Sequence, residues 1–421
     1  MLKNVHLLQS PEEERTDVYI NGNRISAIGR EPRGFSADET IDCSGKTAMP
    51  GFINCHTHAY MSLMRNYADD VPFATWLFDR ILPIEDSLTL EEAYWGNLLS
   101  IAEMIRSGTT TFVDMQMFPR MAVKACADTG MRALITRGLV GSDRNDEGAK
   151  TRIAQAFDEM DYGKDIGAPV SFGLGPHAIY TCGEDLLRYV AELAHDKNLP
   201  VHLHLAETQK EFDDCMNEHG MSPAAYVDSL GLLDGEILLA HCVYLDDNDF
   251  SILARPHVHV VTNPASNMKL ANGFAPVTRM LREGIHVALG TDSAASNNAL
   301  NMFTEMRLLS MSQKGVTRDA LALTAEETLR IATENGAAAI GREDLGSIEV
   351  GKTADLILID EDCPSLRPLY NRKASLVYSA SGSEVSDVMI DGKWVMRERH
   401  LKTIDEERVI YETEKIAAKY R

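Results

Sequence analysis

Short apolar runs rich in β-branched residues alternate with amphipathic stretches from about residue 50 to about residue 335. Runs of this length and composition are typical of buried parallel strands. Eight are predicted, at Gly51–His56, Thr110–Met115, Arg132–Leu139, Val170–Gly175, Val201–Ala206, Ile237–His241, Val258–Thr262 and Val287–Gly290. Eight strand–helix units of this total length predict an α/β fold, a (β/α)8 TIM-type barrel.

The stretches between these runs have the apolar period of helices that bury one face. The clearest extends from Leu90 to Ser107, and Gly108 follows it as a glycine that ends a helix. Further helices are predicted at Phe118–Thr129, Glu184–Lys197, Asp246–Ala254, Ala275–Glu283 and Leu300–Ser312. A doubly wound open sheet is the alternative. The barrel is favoured because candidate ligands follow strands far apart in sequence, and only a closed barrel brings all strand ends to one mouth.

Both ends of the chain show short strands and turns instead of strand–helix units. Asn21-Gly22 and Asp391-Gly392 each lie between two apolar runs, a strong hairpin signal. Other strands near the C-terminal end are predicted at Ala354–Ile359, Ser375–Tyr378 and Asp387–Ile390. Because residues 1–49 are too few to bury a core alone, we predict that they pair with residues 346–421. The two parts would form a small β-sandwich domain with a C-terminal surface helix, beside a catalytic barrel of residues 50–345.

Composition and charge narrow the classes of function. The 421 residues are 44% hydrophobic and 25% charged, which is ordinary for a globular protein. A formal net charge of −22 repels phosphate backbones and anionic membranes, so we expect neither as a partner. Seven cysteines without a Cys-x-x-Cys pair suggest reduced thiols, and no signal or membrane-length run is seen. We therefore expect a soluble cytoplasmic protein, and homo-oligomerisation stays open.

Histidines and carboxylates close several of the predicted strands. His56 and His58 are two positions apart, so they point to one side of the first strand. His204, His241 and Asp292 each end a later run, and in a barrel these ends converge. Each is weak evidence alone, because a strand-end histidine is more often hydrogen bonded than metal bound. Together, three imidazoles and a carboxylate suit zinc or ferrous iron with an open position for water.

Two further residues on the fifth strand complete this picture. Glu207, just past His204, is the best candidate for a proton shuttle. His202 shares a face with His204 but lies one layer below the mouth, so we expect a histidine of the barrel interior.

Several motifs resemble the metal-dependent amidohydrolase superfamily, and within it the 5-methylthioadenosine/S-adenosylhomocysteine deaminases. The resemblance covers essentially the whole chain. It is carried by Pro50–His58, Met61–Asp70, Trp76–Phe78, Leu82–Glu85, Gly175–His177, His204–Glu207, Ala240–Cys242, Asn263–Asn267 and Gly290–Asp292.

The resemblance implies one divalent metal ion, zinc or alternatively Fe²⁺, bound by His56, His58, His204 and Asp292. Binuclear relatives carry a bridging lysine at the end of strand four, where this chain reads Gly173-Leu174-Gly175-Pro176-His177, which supports a single ion.

By the same analogy, Glu207 carries a proton from water to purine N1 and Asp292 takes the second proton, while His241 binds the attacking hydroxide or the developing oxyanion. Glu207 and Asp292 are thus both catalytic and substrate-binding residues.

The resemblance also implies substrate contacts. Glu85 would hold the ribose hydroxyls, His177 would be a second sugar contact, and Trp76 would pack on the thioether part. Ordinary structural roles are the alternative, a helix cap for Glu85 and a core position for Trp76. Arg137 resembles an arginine that contacts the amino-acid carboxylate of S-adenosylhomocysteine.

One segment departs from the family pattern. The family places a second arginine in the loop after strand three, here read as Gly141–Arg152, and its equivalent is Arg144, Lys150 or Arg152. Methylthioadenosine, S-adenosylhomocysteine, adenosine and 5′-deoxyadenosine therefore all stay open as substrates. A guanine-type or triazine deaminase or chlorohydrolase, and a non-catalytic barrel, are the competing hypotheses.

Overall fold

Five short strands begin the chain in a computed structural model that describes residues 1–421. They are β1 (Leu2–Leu7), β2 (Thr16–Asn21), β3 (Arg24–Ile28), β4 (Ile41–Asp42) and β5 (Lys46–Pro50). In the hairpin of β2 and β3, Asn21 pairs with Arg24, which confirms the hairpin predicted at Asn21-Gly22.

Eight parallel strands follow and pair in the order in which they occur. They are β6 (Phe52–Thr57), β7 (Thr109–Gln116), β8 (Arg132–Leu139), β9 (Val170–Pro176), β10 (Val201–Leu205), β11 (Ile237–His241), β12 (Val258–Thr262) and β13 (His286–Leu289). Each begins and ends within one residue of the predicted run. The (β/α)8 fold is confirmed.

Helices connect these strands. They are α1 (Leu82–Glu85), α2 (Leu90–Arg106), α3 (Pro119–Thr129), α4 (Glu147–Asp165), α5 (Glu184–Lys197), α6 (Gln209–His219), α7 (Pro223–Ser229), α8 (Asp247–Leu253), α9 (Pro264–Lys269), α10 (Val277–Arg282), α11 (Met302–Thr317), α12 (Ala325–Ala332) and α13 (Glu334–Ala339). Short 3₁₀ helices lie at Ala59–Met64 and Leu232–Asp234, and a π-helix lies at Thr75–Ile81. No helix in the structure combines the length and the apolar character that crossing a bilayer requires.

Local hydrogen bonds explain two helix starts. At α2, the Thr89 hydroxyl accepts from the Glu92 backbone N–H while the Glu92 carboxylate accepts from the Thr89 N–H, a capping box. At α4, the Asp146 carboxylate caps the helix by accepting from the Ala149 N–H. The segment from residue 147 to 152, which sequence analysis assigned to a loop, is therefore helical.

The chain ends with four strands and two helices. They are β14 (Leu356–Asp360), α14 (Arg372–Tyr378), β15 (Val385–Ile390), β16 (Lys393–Arg397), β17 (His400–Leu401) and α15 (Glu406–Ala417). Ile390 pairs with Lys393 around Asp391-Gly392, which confirms the second hairpin.

The strand predicted at Ser375–Tyr378 is wrong, because this segment is the end of α14. The Asn371 side chain caps that helix by accepting from the Ala374 N–H. A run as short as Leu376–Tyr378 does not distinguish a strand from a buried helix turn.

Strands from both chain ends share hydrogen bonds and a core. β5 pairs antiparallel with β14 over five residues, and β1 pairs with β2 through its first half and with β5 through its last residues. Twelve apolar side chains from both ends, among them Leu2, Val18 and Leu356, form one buried cluster. These contacts fit the predicted β-sandwich, while the division of the chain at residues 49 and 345 stays a prediction.

The contact region between the first and last barrel strands, β6 and β13, which we call the seam, positions the site. The Asn54 amide donates to the Thr291 hydroxyl (2.8 Å) and accepts from the Thr291 N–H (2.9 Å). The Asp292 N–H donates to the His56 carbonyl at 2.9 Å. A side chain at Gly290 would approach the His56 Cβ to 2.7 Å, so only glycine fits there. The seam thus sets Asp292 directly beside His56.

Candidate metal centre and active site

The four predicted metal ligands lie together at the carboxyl ends of the barrel strands. The Nε2 atoms of His58 and His204 are 3.1 Å apart. The Oδ1 atom of Asp292 lies 3.4 Å from Nε2 of His56 and 3.7 Å from Nε2 of His58. All four side chains are buried. The structure therefore brings together residues from β6, from β10 and from the turn after β13.

The donor set fits a divalent cation. The buried Nε2 of His56 has no hydrogen-bond partner. Burial lowers the pKa of His56 to about 4 and also lowers those of His58 and His204, so these imidazoles are neutral and have a lone pair to share. Burial opposes ionisation of Asp292, but its contact with the His56 imidazole holds the pKa of Asp292 well below the usual range. Three neutral imidazoles with one carboxylate form a typical zinc site.

Backbone carbonyls orient two of these imidazoles. The Nδ1 of His58 is 2.9 Å from the Met115 carbonyl, and the Nδ1 of His204 is 2.7 Å from the His177 carbonyl. Because a carbonyl only accepts, both Nδ1 atoms carry the hydrogen and both Nε2 atoms are free to bind a metal.

His202 supports the third imidazole. Its Nε2 lies 2.8 Å from Nδ1 of His56, and its own Nδ1 lies 3.4 Å from the Thr136 hydroxyl. It is fully buried, as expected for a histidine of the barrel interior. Its contact with His56 adds an orienting role that sequence analysis did not assign.

The predicted proton-transfer residues lie beside the donor set. Oε2 of Glu207 is 3.7 Å from Nε2 of His241. Burial raises the pKa of Glu207. Burial lowers the pKa of His241, but the carboxylates of Glu207 and Asp292 outweigh it and leave a net rise. A carboxylate with a raised pKa next to an imidazole is a suitable group for proton transfer near neutral pH.

The backbone at these strand ends is strained. Ala206, His241, Cys242 and Asp292 have φ values of 52°, 77°, 46° and 61°, in the left-handed region that residues with a side chain rarely adopt. Such outliers persist only where the surroundings enforce them, and they cluster at functional sites.

A cavity of about 540 Å³ opens onto these groups. His58, His204, Glu207, His241 and Asp292 all line it. Apolar side chains form much of the remaining wall: Tyr60, Met61, Phe73, Trp76, Leu77, Phe78, Leu82, Met115, Met117 and Val140. The volume suits a small molecule with an apolar part.

Besides Glu207 and Asp292, three of the predicted substrate-binding residues line this cavity. Trp76 is buried, and its indole N–H points to the Ala295 carbonyl at 3.3 Å. The Glu85 carboxylate accepts from the Tyr60 hydroxyl at 2.6 Å, and burial raises the pKa of Glu85. Burial lowers the pKa of His177 to about 3, so its ring is neutral. All three side chains border the cavity, and their contacts with a substrate stay predictions.

Arg137 does not line the cavity. It is buried, and its guanidinium donates to the Gly138 carbonyl at 2.8 Å and to the Gln155 side-chain oxygen at 3.2 Å. Burial and the nearby Arg152 lower the pKa of Arg137 to about 10. The structure thus shows Arg137 in packing contacts, and the substrate contact that the resemblance implied stays a prediction.

Arg152 is the one of the three alternative cations that lines the cavity. Arg144 is paired with Asp185 at 3.0 Å, and Lys150 is paired with Glu147 at 3.1 Å. Arg152 is partly buried and makes no side-chain hydrogen bond or ion pair. Its guanidinium is therefore available to an anion in the cavity.

Several residues that support the site were not predicted from the sequence. The Asp292 carboxylate accepts from the hydroxyls of Ser266 and Ser296 at 2.6 and 2.8 Å. The Glu211 carboxylate accepts from the backbone N–H groups of Ala206 and Glu207, both at 2.8 Å. The pattern Thr208-x-x-Glu211 before a helix was a usable signal for Glu211.

Comparison with known proteins identifies the family to which this chain belongs. The amidohydrolase family matches residues 47–395. A 5-methylthioadenosine/S-adenosylhomocysteine deaminase of Thermoanaerobacter pseudethanolicus is 45% identical over 99% of this chain and 98% of its own. A relative of the same name from Caldanaerobacter subterraneus is 43% identical over 99% and 97%.

Solved structures of other proteins have the same fold. An adenosine deaminase from Xanthomonas campestris with bound zinc has a TM-score of 0.92 and 32% identity, over 100% of this chain and 99% of its own. The atrazine chlorohydrolase of Arthrobacter aurescens with zinc has a TM-score of 0.90 over 99% of both chains, but at 23% identity it shows the fold alone. The chain belongs to the amidohydrolase family and groups there with the 5-methylthioadenosine/S-adenosylhomocysteine deaminases.

Proposed function

We propose that the protein deaminates adenosine-type nucleosides by hydrolysis, giving the inosine analogue and ammonia. The observation that carries this proposal is one cavity lined by three of the four candidate metal ligands (His58, His204 and Asp292), by Glu207 and by a second buried carboxylate, Glu85. The candidate substrates are 5′-methylthioadenosine, S-adenosylhomocysteine, adenosine and 5′-deoxyadenosine. The names of the full-length relatives support this substrate class.

His56, His58, His204 and Asp292 would hold one divalent metal ion per chain, with zinc as the first candidate and Fe²⁺ as the alternative. A bound ion of this kind lowers the pKa of water and supplies hydroxide near neutral pH. The protein's own contribution is to keep three imidazoles neutral and aimed at one point through their outer hydrogen bonds.

Glu207, His241 and Asp292 would manage the protons. Glu207 takes a proton from the attacking water and delivers it to purine N1, which makes C6 more electrophilic. His241 donates a hydrogen bond to the oxygen that adds to C6. Asp292 takes the second proton from that oxygen and passes it to the 6-amino group, so that the C6–N bond breaks, the C6 carbonyl forms and ammonia leaves. Two carboxylates are needed because attack and departure each move a proton.

The remaining wall would select the substrate. Glu85 can accept hydrogen bonds from both ribose hydroxyls, and His177 can contact the sugar. Trp76 and the apolar side chains near it would cover the 5′ substituent. A bare guanine or triazine has no ribose diol for Glu85, so this residue favours a nucleoside over the alternative ring substrates.

Arg152 replaces Arg137 in our proposal as the contact for the amino-acid carboxylate of S-adenosylhomocysteine. Its guanidinium lies in the cavity wall without a partner, and an arginine fork matches a carboxylate. Because Arg152 is the one unpaired arginine in this wall, where the family has two arginines, we expect similar kcat/KM values for methylthioadenosine and S-adenosylhomocysteine.

A substrate panel tests the function. Purified protein loaded with zinc is given methylthioadenosine, S-adenosylhomocysteine, adenosine, 5′-deoxyadenosine, guanine and melamine, and ammonia release is measured. We expect release from the nucleosides. Release from guanine or melamine alone would replace the proposal with the corresponding alternative, and no release from any compound would favour the non-catalytic barrel.

We also propose a cytoplasmic location without nucleic-acid or membrane partners. The seven cysteines are all free, and six of them are buried. The net charge of −22 disfavours polyanionic partners. Cell fractionation tests the location, and whether the enzyme forms a homo-oligomer needs a mass measurement in solution.

A further inference from the structure

A short segment after β12 contacts the proton-transfer residues of three different strands. The segment from Asn263 to Asn272 contains α9 and the turn that follows it. Asn267 lies 2.8 Å from Nδ1 of His241 through its side-chain oxygen, and the Ser266 hydroxyl donates to Asp292. At the end of the segment, the Asn272 side-chain amide donates to Oε1 of Glu207 at 2.9 Å.

We propose that Asn272 is a positioning residue that fixes the Glu207 carboxylate, so that Oε2 is the oxygen that carries the proton to the substrate. The inference rests on the proposed deaminase function. It adds an assignment for a residue that touches no reacting atom.

The hydrogen bonding of Glu207 supports this assignment. Its carboxylate accepts one side-chain hydrogen bond in the structure, the one from Asn272 to Oε1. Its Oε2 faces His241, whose Nε2 is 3.7 Å away. Because the amide N–H can only donate, Oε1 is held as an acceptor and the proton bonds to Oε2. The proton that Glu207 takes from water then passes to the lone pair of N1, and the carboxylate is restored.

Burial and backbone contacts make Asn272 a rigid support. The residue is only 5% exposed, so water does not compete for its amide. The Asn272 N–H donates to the Asn267 carbonyl at 2.8 Å, which ties the position of Asn272 to the residue that orients His241. The same short segment therefore sets the relative placement of Glu207 and His241. Misplacement of a catalytic group by about 1 Å can cost about a hundredfold in rate.

Two substitutions test the proposal. Asn272→Leu removes the donor and keeps the approximate volume, and we expect kcat to fall about tenfold to a hundredfold. Asn272→Asp keeps the shape but places a second carboxylate against Oε1, so we expect a larger loss. Metal content should stay at the wild-type value and KM for methylthioadenosine within about twofold, because Asn272 contacts neither a metal ligand nor the cavity.

Asn335→Leu is the matched control. Asn335 is a partly buried asparagine whose side chain makes one hydrogen bond, to the Val287 carbonyl at 2.8 Å, outside the cavity. We expect this variant to lose thermal stability but to keep kcat when both enzymes are assayed well below their Tm.

The outcomes separate the inference from the function on which it rests. Wild-type kcat in Asn272→Leu, or a raised KM or lost metal with kcat unchanged, would overturn the positioning role. If Asn272→Leu does not fold, the isosteric Asn272→Asp decides by the same criteria. A wild-type enzyme that releases no ammonia from any nucleoside would instead remove the proposed function.

Discussion

The two sides of the cavity are built differently. The metal wall (His56, His58, His204 and Asp292) lies at the ends of barrel strands and is buried, and each side chain is held by a hydrogen bond or a close contact with its neighbours. The substrate wall (Trp76, Phe78, Glu85, Arg152 and Tyr180) comes from the π-helix, the short helix α1, the first turns of α4 and the loop after β9. Phe78 is 51% exposed and Tyr180 is 42% exposed.

This difference indicates that the metal wall carries out the reaction and that the substrate wall selects the substrate. Strand ends locked by packing give the reacting groups a fixed geometry, which catalysis requires. The substrate wall lies on segments that follow the barrel strands and contribute no metal ligand, so its side chains can change without removing one. Substitutions in the metal wall should therefore abolish turnover of every substrate, whereas those in the substrate wall should change the ranking of substrates.

The largest effect is expected from the metal wall itself. His204→Ala or Asp292→Asn should lower metal content and reduce turnover of all nucleosides below detection, because the donor set loses a ligand. Metal analysis together with ammonia release provides the measurement. Full activity with normal metal content in either variant would remove the proposed centre.

Glu207→Gln separates metal binding from proton transfer. We expect the metal and the substrate affinity to be kept while kcat falls about a hundredfold to ten-thousandfold, the usual cost of removing a general acid–base group. Single-turnover kinetics with methylthioadenosine measure the chemical step. If this variant loses its metal, Glu207 is a ligand and the assignment of roles is incorrect.

Glu85→Gln tests the substrate wall. A charged carboxylate that accepts from a hydroxyl contributes about 1.5–3 kcal/mol per hydrogen bond, so kcat/KM for adenosine should fall by at least about tenfold. The 2′,3′-dideoxy analogue has no such hydroxyls and should be little affected. Equal losses for both compounds would show that Glu85 acts elsewhere.

The smallest and most selective effect is expected at Arg152. Arg152→Ala should raise KM for S-adenosylhomocysteine about tenfold and leave KM for methylthioadenosine within about twofold, because only the former has a carboxylate. Arg137→Ala is the matched comparison. It should lower Tm through its lost buried hydrogen bonds and leave the ratio of the two substrates unchanged. The reverse pattern would return the carboxylate role to Arg137.

The sequence was sufficient to predict the barrel and the meeting of the four residues of the metal wall at its mouth. Apolar runs that end on His56, His204 or Asp292 indicate both a strand and the direction of its last side chain. Parallel strands in a barrel then bring these ends together without any knowledge of the loops.

Other features depend on contacts that no local pattern encodes. Arg137 donates to Gln155 on α4, and this contact was not foreseen because α4 was not predicted. Asn272 reaches Glu207 across 65 residues of chain. The segment Arg372–Tyr378 is helical because of its cap at Asn371, which outweighs a short apolar run.

The central claim is that deamination requires one metal ion bound by the metal wall. Removing and restoring the metal tests this claim most directly. Ammonia release from methylthioadenosine is measured for the protein as purified, after chelation, and after addition of one equivalent of zinc or Fe²⁺ per chain. We predict one bound ion per chain, loss of activity on chelation and recovery on addition of metal. Undiminished ammonia release from the metal-free protein, or none from the fully loaded protein, would contradict the account.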